Sequence, residues 1–255
     1  MISASAVVYY FRFDIQNNAF RYLYKYFKKY NHERQVSVSQ KERIIQILEK
    51  NKTKPIGIDI SHYQGTIDFD LLNNLYETYP ISFIFIRATA GVNKFDNQYK
   101  HNWEKTGEKK IIKGAYHYYR PNENSIKQAN NYIKHVELNP GDFPPILDIE
   151  ETSVIQSMES LKTGLKRWLD KIEEHYGVKP IIYTSEKYFQ SHLNTADFKD
   201  YPLWIANYTN SKAPFTFSYK IWQFTNKGQI DGIGHNVDLN VFNGNFSELK
   251  KMLIK

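Results

Sequence analysis

The 255-residue sequence has no cysteine, which excludes disulfides, thiol nucleophiles and cysteine-based zinc or iron–sulfur centres. It also has no run of 18 or more apolar residues, the length a bilayer-crossing helix needs. The opening stretch Ile2 to Phe11 is shorter, with no basic segment ahead of it and no small-residue cleavage site after it. It reads as a short strand or as the stub of a truncated membrane anchor. No Gly-rich phosphate loop, His-Glu-x-x-His motif, internal repeat or low-complexity tract occurs.

What is present describes a folded protein, with 41% hydrophobic and 16% aromatic residues. The net charge of +7 is unevenly placed. Residues 1–54 carry 11 Lys+Arg against 4 Asp+Glu, whereas 55–255 carry 23 of each. The chain therefore divides into a basic N-terminal extension, 1–54, and a neutral main domain, 55–255. Within the extension, aromatic and basic residues interleave at helical spacing over 20–30, and Ser39-Gln40-Lys41-Glu42 reads as a capping box ahead of a helix near 40–50. Such a helix binds headgroups or nucleic acid, or packs its apolar face on the main domain with lysines outward.

Chemistry enters with Asp148-Ile149-Glu150, which closes the apolar run Phe143 to Leu147. In a strand, carboxylates at i and i+2 point to one face, about 6.5 Å apart between Cα atoms. Their repulsion holds one protonated while the other ionises, the division of labour that glycoside hydrolysis requires. A pair of acids that merely solvates a turn is the competing reading. The pattern recurs at Asp59, after Pro55 to Ile58, and at Asp238 in Asn236 to Asn240.

Eight β-like runs follow one another at 55–61, 83–89, 112–119, 144–150, 179–185, 202–208, 219–225 and 235–242. Helical periodicity falls between the first five, near 69–79, 98–108, 124–138 and 156–176. Only about ten residues separate each of the last runs, too few for a parallel crossover. These spacings predict an α/β fold, an irregular eight-stranded barrel of five βα units followed by three strands without regular helices. The site belongs at the carboxyl ends of the strands, and a short C-terminal helix spans 246–254.

The chain resembles the lysozymes of glycoside hydrolase family 25, muramidases, through motifs in order from 55 to 243. They are Gly57-Ile-Asp-Ile-Ser61 with Gln64-Gly65, Arg87-Ala-Thr-Ala-Gly91, Gly114-Ala-Tyr-His-Tyr118 and Pro145-Ile-Leu-Asp-Ile-Glu150. Then come Pro180 to Ser185, Leu203 to Ala206 with Tyr208, Ile221 to Phe224 and Val237 to Asn240. The resemblance implies hydrolysis of the β-1,4 bond between N-acetylmuramic acid and N-acetylglucosamine in peptidoglycan. It makes Glu150 the general acid, Asp148 its partner and Asp59 and Asp238 the remaining carboxylates. No cofactor or metal is implied. Ala90 departs from the family pattern, which has glutamate there.

Asp148 can serve as nucleophile, as base, or as the group orienting the substrate's acetamido oxygen, and the last is preferred. Tyr118, Tyr183, Trp204, Tyr208 and Trp222 are candidate sugar platforms, with Gln64 and Gln223 as polar partners. His62, His117 and His235 read as structural, and Asp96 as a surface turn. The rivals are a wall-binding barrel without turnover and a metal-dependent carbohydrate deacetylase using those histidines. A nucleic-acid partner is not expected. The expected partners are peptidoglycan glycan strands, with membrane or wall attachment through 1–54, an envelope or extracellular location and a monomeric state.

Overall fold

The computed structural model describes residues 39–209, 213 and 216–255. The segments 2–11 and 20–30 singled out above lie outside these. Residues 39–50 are helical (α1), as the periodicity predicts. Ile47–Lys255 forms one compact unit.

Eight strands close into a barrel. In chain order they are β1 (Ile56–Ile60), β3 (Tyr79–Ala90), β5 (Ile112–Tyr118), β6 (Ile146–Asp148), β7 (Ile181–Ser185), β8 (Leu203–Ala206), β9 (Ile221–Gly228) and β10 (Val237–Phe242). Neighbours are parallel from β1 through β3 to β9, and β10 closes the ring antiparallel to both β9 and β1. Two short strands, β2 (Asn74–Leu75) and β4 (Lys94–Phe95), pair with the ends of β3. The fold is the irregular α/β barrel that the spacing predicts.

Helices α2 (Tyr99–Glu108), α3 (Ser125–His135) and α4 (Met158–Tyr176) cover the strands as crossovers. The long α4 begins on Ser157, whose side chain accepts from Ser160 N–H, and stops at Gly177 in the left-handed region (φ 69°). Its apolar stripe, Leu161, Leu165, Trp168, Leu169 and Ile172, is buried. Between β7 and β8 come the short α5 (Glu186–Tyr188) and one π turn, and among the described residues no regular helix links β8, β9 and β10. The C-terminal α6 spans Phe246–Met252, starting from a capping box of Asn245 and Glu248.

The expected helix over 69–79 is absent. Tyr76 and Glu77 both have positive φ (48° and 62°) and turn the chain back, so that Leu75 pairs with Tyr79. The apolar residues that mimic a helical stripe, Phe69, Leu72 and Leu75, are instead buried from a turn-rich link. The expected strand 144–150 is also shorter, since ladder pairing stops at Asp148 and Glu150 lies just past the strand end.

The barrel interior is filled from the side opposite the acids. Phe83, Phe85 and Phe143 pack ring against ring at 4.9–5.5 Å, and Trp204 sits on Phe85 at 4.5 Å and on Tyr183 at 4.3 Å. This aromatic plug needs glycine beside it: a Cβ on Gly57 would fall 2.3 Å from the Phe83 ring, and one on Gly114 2.8 Å from Phe85. The plug is a dry floor on which the polar layer stands.

Candidate active site

Strand alternation brings the acids to one mouth. Asp59 on β1 lies directly opposite Asp238 on β10, so their Cα atoms fall within the roughly 4.5–5.5 Å of an antiparallel pair. Asp148 ends β6, flanked in register by Tyr118 on β5 and Tyr183 on β7. These three acids and Glu150 line one cleft of about 740 Å³.

Asp59 is built in most firmly. Its Oδ2 accepts from Gln223 Nε2 and from Asn240 Nδ2, both at 2.8 Å. Those amides are cross-strand partners on β9 and β10, and aromatic donors orient them in turn. Tyr183 and Tyr208 hydroxyls donate to Gln223 Oε1 at 2.8 and 2.5 Å, and Trp204 Nε1 donates to Asn240 Oδ1 at 2.7 Å. The amide oxygens are occupied, so each amide must present N–H to Asp59. Burial pushes the Asp59 carboxyl up to about 6, against the pull of those two donors.

Asp148 is 5% exposed, and its Oδ1 is enclosed with no hydrogen-bond partner among the described residues. Burial, then the charges of Glu150 and Asp59, push it well above the carboxylate range. Burial followed by the charge of Asp59 takes Asp238 to about 8. The Glu150 side chain reaches solvent at the cleft mouth. Even so, the protein crowding its carboxyl, then Glu151, raise it. Burial and mutual repulsion therefore disfavour simultaneous ionisation of the four acids.

Most of the predicted polar and aromatic residues meet at this cleft, with different tasks. Tyr208 is exposed on its rim, and half-buried Tyr118 donates to Glu151 Oε1 at 3.1 Å. Tyr183 and Gln223 face it from inside the Asp59 network. Trp204 lines the cleft floor, is 1% exposed and orients the Asn240 amide. Gln64 is occupied at both ends, accepting from Ser61 N–H and donating to Asn236 O. Trp222 alternates with inward-facing Gln223, lies off this cleft and donates to Asn207 O at 3.0 Å.

The histidines do not converge. His117 is fully buried, held by Thr89 and Gln128, and desolvation lowers it to about 4. His235 is exposed on a loop, and His62 stands on the cleft wall. Among the described residues, no group of three or more His, Asp or Glu is arranged to hold a metal ion. Asp96 is a correction, being 6% exposed and not a surface turn. Its Oδ2 accepts from His62 N–H, the His62 ring and Arg87 Nε, each at 3.0 Å, and Oδ1 accepts from Gln98 N–H. Burial pushes Asp96 up, but these bonds and the Arg87 charge outweigh it and hold the carboxyl low.

Asn240 was also legible as a site residue, being i+2 from Asp238 on the same strand face. Arg87, His62 and Tyr63 carried no such signal. Lys94 is the cross-strand partner of Ala90, and both line the same wall.

The family model for glycosyl hydrolases family 25 matches residues 58–233. Protein YegX of Escherichia coli (strain K12) is 35% identical over 196 residues, covering 76% of this chain and 71% of its own. Lysozyme M1 of Streptomyces globisporus is 29% identical over 211 residues, 76% of this chain and 69% of its own. A family 25 glycosyl hydrolase from Bacillus anthracis has the same fold, with a TM-score of 0.70 at 26% identity over 80% of this chain and 95% of that one.

Proposed function

This chain belongs to glycosyl hydrolase family 25, and from that premise we propose that it is a lysozyme-type muramidase, cleaving the β-1,4 bond between N-acetylmuramic acid and N-acetylglucosamine in peptidoglycan. The observation that carries the residue roles is the contrast between two neighbours. Glu150 has a raised carboxyl at the open mouth, and Asp148 has a buried oxygen with no partner.

Glu150 donates its proton to the glycosidic oxygen as the C1–O bond breaks. As substrate binds, Asp148 passes its proton to the Asp59–Asp238 pair, and the ionised Asp148 accepts from the acetamido N–H while the acetamido oxygen bonds to C1, so that its enclosed oxygen gains the donor it lacks and offsets the developing positive charge. Water then attacks C1, with Glu150 taking its proton back and the acetamido oxygen leaving. Before substrate arrives the charge of Asp59 helps keep Asp148 protonated, and once substrate is bound Asp59, pinned by Gln223 and Asn240, shares the released proton with Asp238. Residues 1–54 supply attachment to the cell envelope or its wall, where this substrate lies.

Digestion of purified peptidoglycan, with mass analysis of the reduced products, tests the reading. The wild type should create N-acetylmuramic acid reducing ends, and Glu150→Gln should lower the rate by about 10²- to 10⁴-fold. New N-acetylglucosamine ends would overturn the bond assignment, and an undiminished Glu150→Gln would overturn the acid.

A further inference from the structure

Asp96 organises a part of the cleft that the acid chemistry leaves unexplained. A buried carboxylate is costly, and replacing a buried ion pair by apolar side chains of similar volume is often neutral or stabilising. Here three of its four bonds go to His62 and Arg87, both on the cleft wall. These two in turn hold one side chain. The His62 ring lies 4.3 Å from the Tyr63 ring, and the Arg87 guanidinium carbon sits 4.9 Å from the Tyr63 centroid. An Arg87 amino group also contacts the His62 ring nitrogen.

Tyr63 itself is 70% exposed, on the single 3-10 turn that follows β1, four residues beyond Asp59. An aromatic ring that exposed gains little from the fold, yet it is fixed from below by a cation and from the side by an imidazole. It stands on the rim made by β1, β3 and β4, whereas Tyr208 belongs to the rim after β8.

We infer that Tyr63 is a stacking platform for an N-acetylhexosamine ring of the glycan, at a subsite away from the scissile bond, and that Asp96 is its positioning residue, acting through His62 and Arg87. The inference rests on the glycan reading proposed above and names a binding element of that same cleft. A pyranose presents an apolar CH face to a ring, and a preorganised ring loses less entropy on binding than a mobile one.

The test uses the full chain and peptide-free peptidoglycan glycan hexamers. Hydrolysis kinetics are measured in the active enzyme, and equilibrium binding by calorimetry in the Glu150→Gln background. Tyr63→Ala should weaken hexamer binding about tenfold and place most of its kinetic loss in KM, while Tyr63→Trp stays within about threefold of the parent. Asp96→Asn should lose a similar factor, and the double variant should lose little more than either single one. If melting shows Asp96→Asn unfolded, Arg87→Lys takes its place, keeping the charge but not the planar fork. Unchanged affinity in Tyr63→Ala, or additive losses in the double variant, would overturn the inference. Cleavage with Tyr63-independent affinity would sink the platform alone, Tyr63-dependent binding without cleavage would sink the hydrolase reading alone, and no binding would sink both.

Discussion

Asp238 shows how the cleft's chemistry bears on the stability of single residues. Its folded carboxyl titrates at about 8 against 3.8 in the unfolded chain. Below the lower value both states are protonated, and the site takes nothing from stability. As pH rises between the two, the unfolded chain releases a proton that the folded one retains, so folding stability falls until about pH 8 and is then level. Asp238→Asn should therefore raise the melting temperature at pH 8 by about 2–4 °C, with a much smaller gain at pH 4.5. An equal gain at both pH values would disprove the assignment. Asp96 has the opposite sign, since its lowered carboxyl stabilises above pH 3.8 and that contribution is lost as pH falls further.

The acids were legible because strand alternation puts any carboxylate at a strand end on a definite face. Asp96 was not, because an aspartate among Lys94, Phe95 and Asn97 has the local composition of a turn. Three of its four bonds come from residues 62 and 87, contacts that local sequence does not encode. The placement of Trp222 was hidden for a related reason: the pattern Trp222-Gln223 offers two faces, and only the pairing with β10 decides which looks inward.

At the scale of elements, the glycines set how close the strands approach the plug. Gly57→Ala would place a Cβ against the Phe83 ring inside a packed core, so it should cost about 1–3 kcal/mol in urea unfolding. A variant as stable as the parent would show that the plug yields. Helix α4 was readable from end to end because its cap, stripe and terminal glycine agree. The link 69–79 misled because apolar residues at three-residue spacing fit a helix, and only consecutive left-handed residues at Tyr76 and Glu77 break it. Neither is glycine or asparagine, so no ordinary turn signal marks them.

Across the whole molecule, loop length told most. The short connection before β10 matches its antiparallel pairing with β9, as such links allow, whereas the link between Ala206 and Ile221 joins the parallel strands β8 and β9. Charge gave the other division, since the surplus of basic residues lies in 1–54. Removing residues 1–38 should leave cleavage of soluble glycan fragments within about twofold while reducing co-sedimentation with whole sacculi, as polybasic attachment weakens with its charge. Unaltered co-sedimentation would remove attachment from the roles of that segment.

The closing strand β10 governs when the cleft is complete. It supplies Asp238 and the Asn240 amide that pins Asp59, and it is the last strand in the chain. Residues up to 236 hold Asp59, Asp148 and Glu150 together with the Gln223 donor, but neither the fourth acid nor the second donor to Asp59. The ring of strands and the four-acid cluster are therefore completed by one late event, the docking of β10 between β9 and β1.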